Sequence, residues 1–228
     1  LLFIWFRHLC KSAYLEVSYV TDFRALNYAG IGATIGHEIT HGFDDRGRQF
    51  DATGNLREWW DEEVKKKFEE RAQCMIKQYA KIEFQQKLQI KVPGTGLNIN
   101  GKLTLGENIA DNGGVKSAYR AYRAYLRRRG GEEKRVKGLE HYSNEQMFFL
   151  GYAMSWCGHA TSDKLINFIL TNVHAPERYR FVRLAKLFQT FKPLFRVNQV
   201  LANQPEFAAA FKCKVGSAMN PIERCAVW

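Results

Sequence analysis

No stretch of this chain reaches the roughly 18 consecutive apolar residues that a membrane-spanning helix requires, so no segment of it is expected to cross or contact a bilayer. The opening run Leu1-Leu2-Phe3-Ile4-Trp5-Phe6 is apolar, but Arg7 and His8 cut it short and no small-residue cleavage site follows, so no signal peptide is read there. The five cysteines, Cys10, Cys74, Cys157, Cys213 and Cys225, show neither CxxC nor CxxH spacing, which argues against a cysteine-built structural zinc site. Their odd number leaves at least one thiol without an intrachain partner. Alternation suited to a large sheet is absent, and so is any internal repeat. Acidic residues are scarce beside basic ones, 23 against 34, for a net charge of +11. Such an excess invites a nucleic-acid partner, but the basic runs have plainer explanations. Lys65-Lys66-Lys67 is interleaved with Asp61, Glu62, Glu63, Glu69 and Glu70, the pattern of a solvated helix face. Arg127-Arg128-Arg129 precedes Gly130-Gly131, where cations suit the C-terminal end of a helix. No nucleic-acid partner is expected.

With 46% hydrophobic and 14% aromatic residues among 228, the chain can bury a sizeable core and lies between one large domain and two small ones. The predicted fold is mainly α with a few short strands. Ala29, Ile31, Ala33, Ile35 and Ile39, with Gly30, Gly32 and Gly36, predict a tightly packed, mostly buried helix from 27 to about 42. A turn-rich stretch covers 44–55, and a long amphipathic helix is predicted over about 59–84, broken by Val92-Pro93-Gly94-Thr95-Gly96. Residues 98–105 read as a short turn or strand around Asn100-Gly101, and 48–56 as a second short strand or turn. Helices follow over about 106–128, over about 143–159 with Ser143 and Gln146 forming a capping box, and over the shorter segments 163–173 and 205–212.

His37-Glu38-Ile39-Thr40-His41 places two imidazoles at i and i+4, one turn apart on the same helix face. Both rings can then ligate one zinc ion while Glu38 reaches a water. A catalytic zinc takes three protein ligands, so a third must come from elsewhere. Gly106-Glu107-Asn108-Ile109-Ala110-Asp111 sets two acids at i and i+4 near a helix start. Glu107 is the natural third ligand, and Asp111 can accept from the free ring nitrogen of a ligating histidine. For the oxyanion of amide hydrolysis a donor is needed. His174, in Asn172-Val173-His174-Ala175-Pro176, is the candidate, since Pro176 stiffens a loop from which the ring can project. His8, His141 and His159 have no comparable setting and are read as structural or solvent-facing.

Three ordered motifs resemble the neprilysin and endothelin-converting-enzyme family of zinc endopeptidases, in the gluzincin group. They are Ile35-Gly36-His37-Glu38-Ile39-Thr40-His41-Gly42-Phe43-Asp44-Asp45, Leu105-Gly106-Glu107-Asn108-Ile109-Ala110-Asp111-Asn112-Gly113-Gly114 and the terminal Cys225-Ala226-Val227-Trp228. The resemblance implies a gluzincin-type fold, one Zn2+ held by His37, His41 and Glu107, and Glu38 as general base. It further implies that Asp111 orients a histidine or donates a proton, and that His174 stabilises the oxyanion. An arginine shortly after that histidine binds the substrate backbone in this family, and Arg180 fits the place. Peptides cleaved on the amino side of hydrophobic residues are the implied substrates, with the enzyme secreted or anchored at the cell surface.

The resemblance runs from residue 21 to 228, leaving 1–20 as a segment unlike the family, and the family's extracellular part is about three times longer. Residues 181–196 read as an insertion, and its removal brings either Arg180 or Arg196 to the substrate-arginine position. By resemblance Cys74 pairs with Cys225, while Cys157 and Cys213 pair with an N-terminal lobe lying outside this chain. A zinc-containing peptide-binding module that lacks catalysis is the alternative reading.

Overall fold

A computed structural model describes residues 22–80, 97–156, 161–176 and 195–228. The chain enters through α1 (Arg24–Asn27), a π-helical turn (Tyr28–Gly32) and α2 (Ala33–His41), which run on without a break in helical backbone. Ala25, Ala29, Ala33 and Thr40 are the buried positions of this run, whereas Ile31, Ile35 and Ile39 are 55, 53 and 64% exposed. The expectation of buried isoleucines is therefore corrected. The face that packs inward carries the small residues, and the isoleucines, at a spacing of four, share the opposite side.

After a 3-10 turn (Gly47–Gln49), α3 (Glu62–Ala80) begins where Asp61 Oδ1 accepts from Val64 N at 2.8 Å. Its buried residues Phe68, Ala72, Met75 and Tyr79 recur at helical spacing, as amphipathicity demands. The predicted continuation of this helix to residue 84 falls outside the described residues. The longest element, α4 (Leu105–Arg128), is buried along most of its length. It stops where Gly130 and Gly131 take φ of 92° and 103° and Gly131 N donates to Leu126 O at 2.8 Å, closing the helix end. The next helix, α5 (Asn144–Ser155), starts with the predicted capping box of Ser143 and Gln146. Then come α6 (Ser162–Thr171), α7 (Phe195–Ala202) and α8 (Pro205–Ala210). The sequence reading had no counterpart for α7. Strand pairing among the described residues is confined to the isolated bridges Phe50 to Leu56 and Ser217 to Asn220, and 101–104 is the turn leading into α4.

α4 is the spine between two cores. Val115, Ala118, Tyr122 and Leu126 join Phe148, Phe149, Val197 and Val200 in one cluster, while Leu105 and Ile109 join Phe68, Met75, Tyr79 and Val227 in the other. The second core is stapled by a disulfide between Cys74 on α3 and Cys225 near the chain's end, 151 residues apart, as the resemblance implied. Cys213 is a half-buried free thiol and Cys157 lies outside the described residues. No helix among the described residues is long and apolar enough to cross a membrane.

Candidate metal centre

The site forms where α2 crosses the first turns of α4. His37 and His41, one turn apart on α2, stand edge to face with ring centroids 4.5 Å apart, and their Nε2 atoms approach to 3.0 Å. From α4, Glu107 brings Oε2 to 3.3 Å from His37 Nε2 and 3.6 Å from His41 Nε2. The three residues predicted as ligands thus converge on one point from two helices.

Each imidazole is steered from behind by a carboxylate. His37 Nδ1 donates to Asp111 Oδ1 at 2.9 Å, and His41 Nδ1 donates to Asp44 Oδ2 at 2.7 Å. Such partners fix the tautomer, leaving Nε2 with its lone pair directed into the site. Asp44 is itself held, since its Oδ1 accepts from Arg46 N at 2.8 Å and Gly47 N at 2.7 Å in the turn that follows α2. The sequence reading assigned Asp44 no role. An acid three residues beyond the second histidine, in the turn that ends the helix, is the signal that would have found it, because such a turn can fold the carboxylate back onto the last helical ring.

Behind His37 lies a buried ion pair. Arg196, at the start of α7 and only 2% exposed, donates from Nε to Asp111 Oδ2 and from Nη2 to Asp111 Oδ1, the latter at 2.8 Å. Its guanidinium stacks 3.9 Å from the Trp156 ring centroid and reaches 3.8 Å from Glu107 Oε2. Burial raises the Asp111 carboxyl, but Arg196 and His37 outweigh it and hold the group ionised below its ordinary range. Of the two arginines left open by the sequence, Arg196 is at the site; Arg180 lies outside the described residues.

His174 also reaches the site from the loop after α6. Asn172 Oδ1 accepts from its backbone N at 2.9 Å and its Nδ1 at 2.8 Å, and its Nε2 stands 3.0 Å from Glu107 Oε2. Glu38, the remaining predicted catalytic group, follows His37 on α2 with its side chain exposed to solvent.

The chemistry of this donor set fits a small divalent cation. With both Nδ1 atoms donating to carboxylates, two Nε2 lone pairs and a carboxylate oxygen crowd one point, and Glu107 Oε2 is buried with no aligned hydrogen-bond donor. Such a cluster is repulsive unless positive charge stands within it. A proton supplies some: burial disfavours a charged His37, yet Asp111 and Glu107 overcome it and push its pKa up to about 9. Glu107 responds in kind; burial raises its carboxyl, but the imidazoles of His174 and His37 hold it well below the usual range. Spacings of 3.0, 3.3 and 3.6 Å match the edges of a tetrahedron with bonds of about 2.0 to 2.1 Å, which are about 3.3 Å long. The residues therefore fit zinc.

Comparison with known proteins agrees. The sequence profile of peptidase family M13 matches residues 11–195 and 192–227. Neprilysin-1 of Caenorhabditis elegans is 55% identical over 205 residues, which are 90% of this chain and 24% of that protein. Human neprilysin is 42% identical over 204 residues, again 90% and 24%. Among solved structures, the Haemonchus galactose-containing glycoprotein complex aligns with a TM-score of 0.74 at 39% identity over 90% of this chain and 30% of its own. The Mycobacterium tuberculosis zinc metalloprotease ZMP1, in complex with inhibitor, aligns with a TM-score of 0.73 at 31% identity over 94% and 30%. The chain spans about a quarter of the length of the curated relatives it matches.

Proposed function

Since the chain belongs to peptidase family M13, we propose that it carries the zinc-binding catalytic centre of an endopeptidase that cleaves peptides on the amino side of hydrophobic residues. The observation that carries this reading is the convergence of His37, His41 and Glu107 on one point, with each histidine oriented by its own carboxylate. One zinc ion held there would supply Lewis acidity, polarising a water and the scissile carbonyl.

The chain's residues have distinct tasks around that chemistry. Glu38, solvent-exposed beside His37, takes the proton from the attacking water as general base. His174 is held by Asn172 with a ring nitrogen directed at the cluster, placed to donate to the developing oxyanion. Asp111 keeps His37 in the tautomer that presents Nε2 and fixes Arg196 in the same contact. Of the two arginines at that place in the sequence, Arg196 is the one we assign to the substrate backbone on the strength of its guanidinium beside Glu107; Arg180 lies outside the described residues.

A secreted or cell-surface setting is proposed with it. The Cys74 to Cys225 disulfide supports that setting, because structural disulfides persist in oxidising compartments. Cys157 and Cys213 would pair with a further lobe of a longer protein, which disulfide mapping of that protein would check.

The test is a fluorogenic peptide assay of the chain, with and without chelator, beside Glu38→Gln. Cleavage should vanish on chelation and return with zinc, and Glu38→Gln should keep its zinc while kcat falls about 100-fold or more. Zinc bound without turnover in the unsubstituted chain would select the peptide-binding module instead.

A further inference from the structure

The candidate ligands come from α2 and α4 alone, so the separation of these two helices is also the spacing of the ligands. Where Gly36 and Gly114 face each other, the nearest atoms across the contact are backbone. A Cβ built on Gly114 would lie 2.6 Å from His37 N, 2.7 Å from Ala33 O and 3.0 Å from His37 Cα. One built on Gly36 would lie 2.9 Å from Gly114 O. Backbone rests directly on backbone, and neither can swing aside as a side chain could.

The register makes this contact more than packing. Glu107, Asp111 and Gly114 stand at i, i+4 and i+7 on one face of α4. All three address the same histidine: Glu107 approaches His37 Nε2 at 3.3 Å, Asp111 accepts from Nδ1 at 2.9 Å, and Gly114 abuts its backbone nitrogen. Gly113, next along, faces a different kind of neighbour. Its Cβ would meet Thr40 Cγ2 at 2.7 Å and Oγ1 at 2.8 Å, but Thr40 Cβ only at 3.4 Å.

We propose that Gly114, with Gly36 opposite it, is a positioning residue of the metal centre, and that its missing side chain sets the distance from Glu107 to the histidine pair. This rests on the metal-site reading above. A methyl group at Gly114 must regain ordinary contact with His37 N, which separates the helices by about 0.8 Å. Metal bonds tolerate errors of about 0.2 Å, so the third ligand is lost before the fold is.

The experiment measures Zn2+ affinity of the full 228-residue chain by competition with a chromogenic chelator, and the visible spectrum of the Co2+-loaded chain, at a temperature where circular dichroism shows each variant folded. The parent chain and His37→Ala test the metal site itself: equal affinity in the two would remove the premise without touching the role of the glycine. Given a working site, Gly114→Ala should bind Zn2+ about 100-fold or more weakly and show an altered Co2+ spectrum. Gly113→Ala should lose about tenfold, and Thr40→Ala should restore it to within threefold of the parent by clearing the space. Affinity of Gly114→Ala within threefold of the parent overturns the proposal. If Gly114→Ala does not fold, the decision passes to the Gly113 pair: loss with restoration supports control by helix separation, and no loss, or loss without restoration, overturns it.

Discussion

Asp111→Asn is the substitution whose consequences can be worked furthest from the geometry. Asp111 and Arg196 are each 2% exposed, and the carboxylate accepts from the guanidinium on both oxygens while also receiving His37 Nδ1–H. Asparagine keeps the shape but removes the charge and turns one acceptor into a donor facing donors. The guanidinium then stays buried against Trp156, 3.8 Å from Glu107, without the carboxylate that accepts from it on both oxygens. Breaking a buried pair from one side costs about 3 to 5 kcal/mol because a charge is left uncompensated. The loss of an orienting carboxylate should also weaken zinc about 10- to 100-fold. Adding Arg196→Gln removes the buried charge that has lost its bidentate partner, so the double variant should regain about 2 kcal/mol or more over Asp111→Asn, whereas zinc affinity should not return. Urea unfolding followed by circular dichroism, with chelator present so that metal linkage does not contribute, separates the two effects. With a slope of about 3 kcal/mol/M, a loss of 3 kcal/mol shifts the midpoint by about 1 M. A double variant no more stable than the single one, or a single variant within about 1 kcal/mol of the parent, would refute the account of Asp111 as the counter-charge of Arg196.

Other expectations follow from the same contacts. Asp44→Ala removes the acceptor of His41 Nδ1 and should weaken zinc about 10- to 100-fold in a chelator competition; unchanged affinity would mean that the turn after α2 plays no part in orienting the ligand. Replacing Cys74 and Cys225 by serine opens a 151-residue separation and should cost up to about 5 kcal/mol in the entropic account, read as the difference in urea midpoint between the variant and the oxidised chain. Asn203→Ala strips one amide that donates to Gln78 and Asn112 and accepts from Gln78 and Cys225 N. Leaving those buried groups unpaired should cost about 2 to 3 kcal/mol, and because Asn203 follows α7, peptide KM should rise more than kcat falls. An equal effect on both would place Asn203 outside the control of Arg196.

The grouping of His37, His41 and Glu107 was legible in the sequence because helical periodicity fixes which side chains share a face: i and i+4 histidines on one helix, and an acid at a helix start on another. The capping box at Ser143 and the glycine stop after α4 were legible for a similar reason, each being a local solution to unpaired backbone groups. Burial of the isoleucines on α2 was misread because a spacing of four describes a face without saying which way it turns. The small residues Ala29, Ala33 and Gly36 decided the question by offering the closer approach. Asp44 escaped notice because an acid in a turn has many ordinary uses, and its contact with His41 is settled only once α2 has ended. The contact of Arg196 with Asp111 could not be read by counting along the chain, since it depends on where α7 begins.

The isoleucine row on α2 has a practical consequence. Ile35 and Ile39 are more than half exposed, and at about 100° per residue they point well away from His37 and His41 and from the side that rests on α4. Contiguous apolar surface of this kind promotes self-association at the concentrations that crystallisation and spectroscopy require. Exchanging Ile35 and Ile39 for glutamine would therefore give a better-behaved sample in which His37, His41, Glu107 and the glycine crossing are untouched.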